Sequence, residues 1–477
     1  MNDRVVATAP APGRPRPYSF PPFDRHRLAN GLTVLTVHLP GRPLVSASLA
    51  FRNGAADEPA ALAGSTVLAA RALSEGTERY DAIALTETAE RLGATLHAEA
   101  GWDALSAGVD VPAARLEPGL ELLAEMVARP TFPGREVERL RDERLNDILQ
   151  ARADPRRRAE EGFIETIYTA RSPYHRPAGG VRETVERLRP AHLREAYERG
   201  FDPARMTLIV AGDLGGLDLP AIADRLFGLW MPSPRAVAAG DVVAGSAVRR
   251  RFVRLYHRPG SVQTEIRIGH AGLPRRIPDF HAVSVMSAIL GGLFSSRLNM
   301  KIREEKGYAY GAGAGFDLRR GRGPFSARAA VTGEVTVPAI RDILVELERI
   351  RDERVAKAEL AAARDFLVGV FPLRFETPGP IVGALAGLVI HDLPDDELVR
   401  YRPGIERVTV DDVLAVARAH LDLEHSAIVL VGDAAQVGPE LEAAGFGPLE
   451  VIPEAGLSTR GPVEGVEEEL GPVEDGG

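Results

Sequence analysis

Hydrophobic and polar positions along the chain fall into two matched series. At 43–51 the run PLVSASLAF alternates with the period of a half-buried strand, and SVQTEIRI at 261–268 does the same. Each precedes an apolar stretch of helical character, GSTVLAARALSEGT at 64–77 in the first series and HAVSVMSAILGG at 281–292 in the second. Later in each comes an amphipathic helix, a short turn and a β-branched strand ending in Gly-Asp: HLREAYERGFDPARMTLIVAGD at 192–213, DVLAVARAHLDLEHSAIVLVGD at 412–433. Gly212 and Gly432 lie 220 positions apart, as do Asp213 and Asp433, and the same offset carries Leu193 onto Val413 and Leu188 onto Val408. An internal repeat of this kind predicts two related halves.

Within each half, strands and helices come in mixed order, with long helices expected over 116–127 and 136–152. That order predicts an α+β fold with mostly antiparallel sheets and packed helices, not a regular βαβ winding. The expected boundaries are a Pro-rich disordered leader at 1–24, an N-terminal domain at 25–230, a Pro/Gly/Ala-rich linker at 231–250, a C-terminal domain at 251–450 and an acidic disordered tail at 451–477.

Composition narrows the function classes. The 477 residues carry a net charge of -9, and the arginines are interspersed with glutamates, which argues against nucleic acid as a partner. With no cysteine there is neither a disulfide framework nor a thiolate metal site, so any metal must use His, Asp or Glu. The longest apolar candidate, PIVGALAGLVIHDL from Pro380, is too short and too interrupted by glycine to span a bilayer, so no membrane partner is expected. The leader lacks the apolar core of a signal peptide, and the expected location is cytoplasmic. No GxGxxG follows a strand, and neither a Walker loop nor a GxSxG elbow is present.

The run NGLTVLTVHLPGRPLVSASLAFRNGAADEP at 30–59, the EGT-ended helix after it, FPGREVERLRDERLNDILQARADP at 132–155, the two Gly-Asp strands and SSRLNMKIREEKGYAYGAGAGF at 295–316 occur in one order. Together they resemble the insulinase and pitrilysin-type metallopeptidases, in particular the branch similar to the mitochondrial processing peptidase. The resemblance covers roughly 25 to 450, most of the chain. It implies two homologous domains of the metallopeptidase LuxS/processing-peptidase type. It also implies two such proteins or halves closing as a clam around a peptide, and a catalytic HxxEH motif with a distant glutamate. Histidines at i and i+4 leave one helical face toward a single Zn²⁺, and the glutamate between them activates the bound water.

In the family register the first histidine falls on Val67, the glutamate on Ala70 and the second histidine on Arg71, so all three are absent. The distant ligand falls on Asp147 in LRDERLND. An arginine at a ligand position repels Zn²⁺. The run HLDLEH at 420–425 is a decoy: His420 and His425 are five apart and lie at the turn into a strand, where a polar turn is the expected role. His97 and Glu99 share one strand face and are expected to form a solvated or cross-strand pair.

KIREEKGYAYG at 301–311 keeps what the resemblance assigns to the opposite domain, an arginine and a tyrosine seven apart that engage the peptide. Arg303 and Tyr310 hold that spacing. A tyrosine hydroxyl can donate to the tetrahedral oxyanion of amide hydrolysis, and a guanidinium can grip a backbone carbonyl. Only the family register favours Tyr310 over Tyr308. Without the resemblance, the segment reads as a charged helix end capped by Gly307. The expected role is a non-catalytic subunit, inactive alone and holding no cofactor. It would pair with a homologous HxxEH-bearing subunit that carries the zinc, and contribute Arg303 and Tyr310 to that partner's peptide site. The alternative is a structural or interaction protein descended from a peptidase with no part in hydrolysis.

Overall fold

A computed structural model describes residue 13, 16–237 and 240–454. The first half contains β1 (Asp24–Arg27), β2 (Thr33–His38), β3 (Leu44–Phe51), β4 (Thr95–Ala100), β5 (Leu105–Pro112) and β6 (Met206–Gly212), ordered β1-β2-β6-β3-β5-β4. The second contains β7 (Phe252–His257), β8 (Gln263–Ala271), β9 (Ala312–Phe316), β10 (Pro324–Thr332), β11 (Ala427–Gly432) and β12 (Leu449–Pro453), ordered β12-β7-β11-β8-β10-β9. Both sheets share one plan: β2 pairs parallel with β6 as β7 does with β11, and the successive neighbours β6-β3-β5-β4 and β11-β8-β10-β9 are antiparallel. The two-domain α+β expectation therefore holds. β6 and β11 are buried on both faces, which is why MTLIVAG and AIVLVG are almost continuously apolar where edge strands alternate.

The repeated Gly-Asp has a common structural cause. At the end of β6, Asp213 accepts the Gly41 amide at 2.9 Å while His38 Nδ1 accepts the Leu214 amide at 3.2 Å. At the end of β11, Asp433 accepts the Gly260 amide at 2.8 Å and His257 Nδ1 the Ala434 amide at 3.0 Å. Each pair ties a central strand to the loop after its parallel neighbour. Gly212 has φ of 148°, and a Cβ there would lie 2.8 Å from the Leu44 carbonyl oxygen, so no larger residue fits.

The first five α-helices of the first half are α1 (Ser65–Ala72), α2 (Ala82–Leu92), α3 (Leu116–Ala128), α4 (Gly134–Ala153) and α5 (Pro155–Ile167). The first four and helix Pro190–Gly200 cover one face of the first sheet, with Leu68, Leu120 and Leu140 in a single core with Val45, Leu49 and Val109. α5 leaves its own half. Started by Pro155 and by Asp154, whose carboxylate accepts the Arg156 and Arg157 amides, it lays Ala159, Phe163 and Ile167 on β8 and β11 of the second sheet. Helix Pro378–Ile390 does the reverse, seating Ile381, Leu385 and Leu388 on Leu35, Ala50 and Ile209. Each half thus completes the other's sheet. Burying one such Phe or Leu side chain contributes about 1.5–3 kcal/mol.

Two expected boundaries shift, and the stretch between the halves is packed. Tyr18 and Phe20 pack against Phe375 and Arg402 donates to the Tyr18 carbonyl, so the leader is part of the fold from residue 16; two aromatics among the prolines supply the apolar surface that a solvated leader lacks. Residues 1–12, 14 and 15 lie outside the described residues. The stretch 231–250 has no helix or strand among its described residues, yet buries Ala244 and Val248 and pairs its backbone with the end of α5, Ala247 N to Ile167 O at 2.9 Å. At the other end β12 runs parallel to β7 through Pro453, so the second half reaches 454 and the acidic segment from 455 lies outside the described residues. Among the described residues no single helix is long and apolar enough to cross a membrane.

Candidate functional site

Helix α1 starts at Gly64, whose φ of 94° only glycine adopts freely. Its first turn is satisfied by Glu58, which accepts the Gly64 amide at 2.7 Å and the Thr66 amide at 3.0 Å. Leu68, Ala69, Ala70 and Ala72 are buried, while Val67 is half-buried and Arg71 exposed, four residues apart along the helix.

α4 packs against α1 and carries the counterpart groups. Arg71 Nη2 donates to Glu143 Oε2 at 3.0 Å, and Arg139 donates to Glu143 at 2.5 Å, Glu75 at 2.5 Å and Glu136 at 2.8 Å. Asp147, one turn further on, accepts from Arg144 and, at 2.8 Å, from Arg157. Partial burial pushes its carboxyl up, but the Arg157 and Arg144 guanidiniums outweigh this and hold it below the usual carboxylate range. These positions do not fit zinc. Val67 has no lone pair, Arg71 only donates, and Asp147 is neutralised by two cations. Among the described residues no group of three or more His, Cys, Asp and Glu side chains could hold a metal ion.

The second half places Arg303 on a short π-helical segment, Met300–Glu305, with its guanidinium 4.7 Å over the Phe294 ring and Nε 3.4 Å from Glu304. Gly307, at φ of 64°, ends that segment. Tyr308 then packs against the second core, and Tyr310 points out with 96% of its surface exposed. Arg297 is instead tied to Glu359 through two hydrogen bonds of 2.8 and 3.0 Å. No hydrogen bond or ion pair among the described residues joins α1 to Arg303 or Tyr310.

The two decoys resolve into separate pairs. His420 Nε2 lies 2.6 Å from Asp279, and His425 Nδ1 2.9 Å from Asp422. His97 Nδ1 lies 3.9 Å from Asp110 on the neighbouring strand. Its strand, β4, packs against α1 and pairs only with β5, leaving one edge of the first sheet open beside the helix. Sequence reasoning missed Glu143 as the partner of Arg71. Spacing pairs Glu143 with Arg139 four residues away along α4 but gives no sign of its contact with Arg71 on α1.

Two family models match the chain. One, described as Insulinase (Peptidase family M16), covers residues 33–176, and a second, described as Peptidase M16 inactive domain, covers 187–367. An uncharacterized zinc protease of Mycobacterium tuberculosis is 27% identical over 406 residues, 85% of this chain and 92% of that protein. A protein named non-peptidase homolog in Helicobacter pylori is 22% identical over 399 residues, 82% of this chain and 89% of that one. Among solved structures, a peptidase M16 inactive domain from Pseudomonas fluorescens superposes with a TM-score of 0.80 at 26% identity, covering 86% of this chain and 98% of that one. A protease from Helicobacter pylori has the same fold, with a TM-score of 0.81 at 18% identity over 87% of this chain and all of that one. The "inactive domain" description belongs to the match over 187–367, whereas α1 falls within the insulinase match. With both halves matched in order and the fold shared over its length, the chain belongs to the insulinase-like peptidase family M16.

Proposed function

We propose that this chain is the non-catalytic subunit of a heterodimeric zinc peptidase. A homologous HxxEH-bearing partner supplies the zinc and the general base. This chain supplies Arg303 and Tyr310 to the partner's site and helps to enclose the peptide. The observation that carries the reading is the contrast between the two halves: Val67 and Ala70 offer no ligand and Arg71 and Asp147 are taken up in ion pairs, while Tyr310 stands almost wholly exposed with little of its own chain covering it.

An exposed phenol in the register of the family's substrate-binding tyrosine has a use when a second subunit closes over it. Its hydroxyl then donates to the oxyanion of a tetrahedral intermediate in a water-poor space, a contribution of about 2.7–4 kcal/mol for one such donor. Arg303, held over Phe294, offers a planar donor fork to a peptide carbonyl. The name non-peptidase homolog, borne by the Helicobacter pylori relative, accords with this reading. The name zinc protease, borne by the mycobacterial relative, does not transfer, because the ligand positions here hold no ligands.

Metal analysis and a peptidase assay on the purified chain test the first part. The expected result is less than stoichiometric zinc and no cleavage, and one tightly held zinc per chain would overturn it. Adding the HxxEH homologue from the same genome should produce cleavage. If that cleavage is indifferent to Arg303→Ala and Tyr310→Phe, the interaction-protein reading stands instead.

A further inference from the structure

A cavity lies between the halves, on the side of the first sheet covered by helix Pro378–Ile390 and not by α1. Its volume is about 630 Å³, within the range of small-ligand sites. The helix roofs it with Gly379, Gly383 and Ala386, and the strands floor it with Ser46, Ser48 and Ser106, so small residues face each other and leave a trough. A Cβ added to Gly383 would meet nothing within 4 Å. The trough follows the helix. A Cβ on Gly379 would lie 3.7 Å from Ser46 Oγ, and the wall continues to His391, about 18 Å further along at 1.5 Å per residue.

The uncommitted polar groups differ between the two ends. On the sheet, Asp110 accepts from the Ser46 hydroxyl and faces His97 at 3.9 Å, with no arginine or lysine partner among the described residues, and Glu99 makes no hydrogen bond or ion pair there. At the far end Arg319 is 8% exposed and stacks on Trp102 and Tyr174 at 5.1 and 4.7 Å. Its Nε and Nη2 donate to Asp317 at 2.9 and 2.6 Å, but Nη1 is buried with no partner. His391 Nδ1, on the wall of the same cavity, is likewise buried and unpartnered. Asp103 is already used, accepting from the Tyr174 hydroxyl and the Arg320 amide at 2.7 Å each. A buried donor left without an acceptor costs about 1–3 kcal/mol, so Arg319 calls for an oxygen ligand, while Asp110, half-exposed, and Glu99, exposed, leave negative charge at the other end that attracts a cation. A simple anion or a simple cation satisfies one end only.

We propose that this trough binds a short peptide of about five residues in extended form, its N-terminal ammonium at Asp110 and Glu99 and its C-terminal carboxylate at Arg319. Val382, Ala386 and Ile390 supply an apolar wall for its side chains. The site needs neither zinc nor a partner subunit, so its failure would leave the heterodimer reading intact, and the reverse.

Calorimetric titration of the full chain with penta-alanine tests it, alongside the N-acetylated and the C-amidated peptide. The expected result is saturable one-to-one binding, weakened about tenfold or more by either cap. Gly383→Leu should abolish binding by filling the trough. Because Gly383 is exposed in a helix interior, that variant should melt no lower than the parent. No saturable binding to the parent chain at millimolar peptide, binding retained in Gly383→Leu, or indifference to both caps would each overturn the proposal.

Discussion

Arg71 shows how much a single position can change. Where a zinc site needs a neutral imidazole, a guanidinium sits 3.0 Å from Glu143, and Asp147 is held by two other arginines. Both Arg71 and Glu143 are more than a third exposed, so this pair should matter little to folding: Arg71→Ala should change stability by less than about 1 kcal/mol in urea unfolding. His391 should matter more at low pH. Burial pushes its imidazole down from 6.5 to about 4, so the unfolded chain binds the extra proton between those values. The stabilisation is fully present above pH 6.5 and is lost as pH falls toward 4. At pH 5 the loss is about 2 kcal/mol, which His391→Gln should remove from the pH profile of unfolding. Of this detail, the register that lays the zinc motif on Val67, Ala70 and Arg71 was available from the family resemblance. The partnership of Arg71 with Glu143 was not, because spacing along α4 does not say which of its turns faces α1. The separation of Tyr308 from Tyr310 depended on the loop after Gly307, which is neither helix nor strand and so has no period to read.

At the level of elements, the exchange of helices explains features that pattern alone left neutral. PIVGALAGLVI is apolar nearly all round and reads as a buried helix, but periodicity reports a buried face and not the sheet it meets. Likewise α5 reads as an ordinary amphipathic helix, although Phe163 is buried against the other half. The strands were more legible, since fully buried and half-buried runs have different periods. In the leader and the linker, prolines and glycines signal irregular backbone, and composition does not show that Tyr18, Phe20, Ala244 and Val248 pin it by packing. If α5 seals the second sheet, Phe163→Ala should cost about 3–5 kcal/mol, measured as a shift in the urea midpoint at constant slope. A cost near that of an exposed residue would contradict the exchange.

Across the molecule, the two halves are fastened as well as related. Arg320 binds Asp57 at 2.7 Å and Arg267 binds Glu160 at 2.9 Å, each pair crossing from one half to the other, and both exchanged helices are apolar seals. Thermal unfolding should therefore show one transition by both calorimetry and circular dichroism, because neither half keeps its covered sheet face without the other. Two resolved transitions would show that the halves fold independently. The repeat and the family could both be read along the chain. The cavity between the halves could not, since its lining comes from segments up to 345 positions apart, between Ser46 and His391.

The central claim concerns what the chain contributes when paired. It is tested most directly by kcat/KM for peptide cleavage by the reconstituted complex with an HxxEH-bearing homologue, comparing the parent chain with Tyr310→Phe. The account predicts a loss of about 100-fold or more with the complex still assembled and its zinc retained. Equal kcat/KM for the two complexes would contradict it.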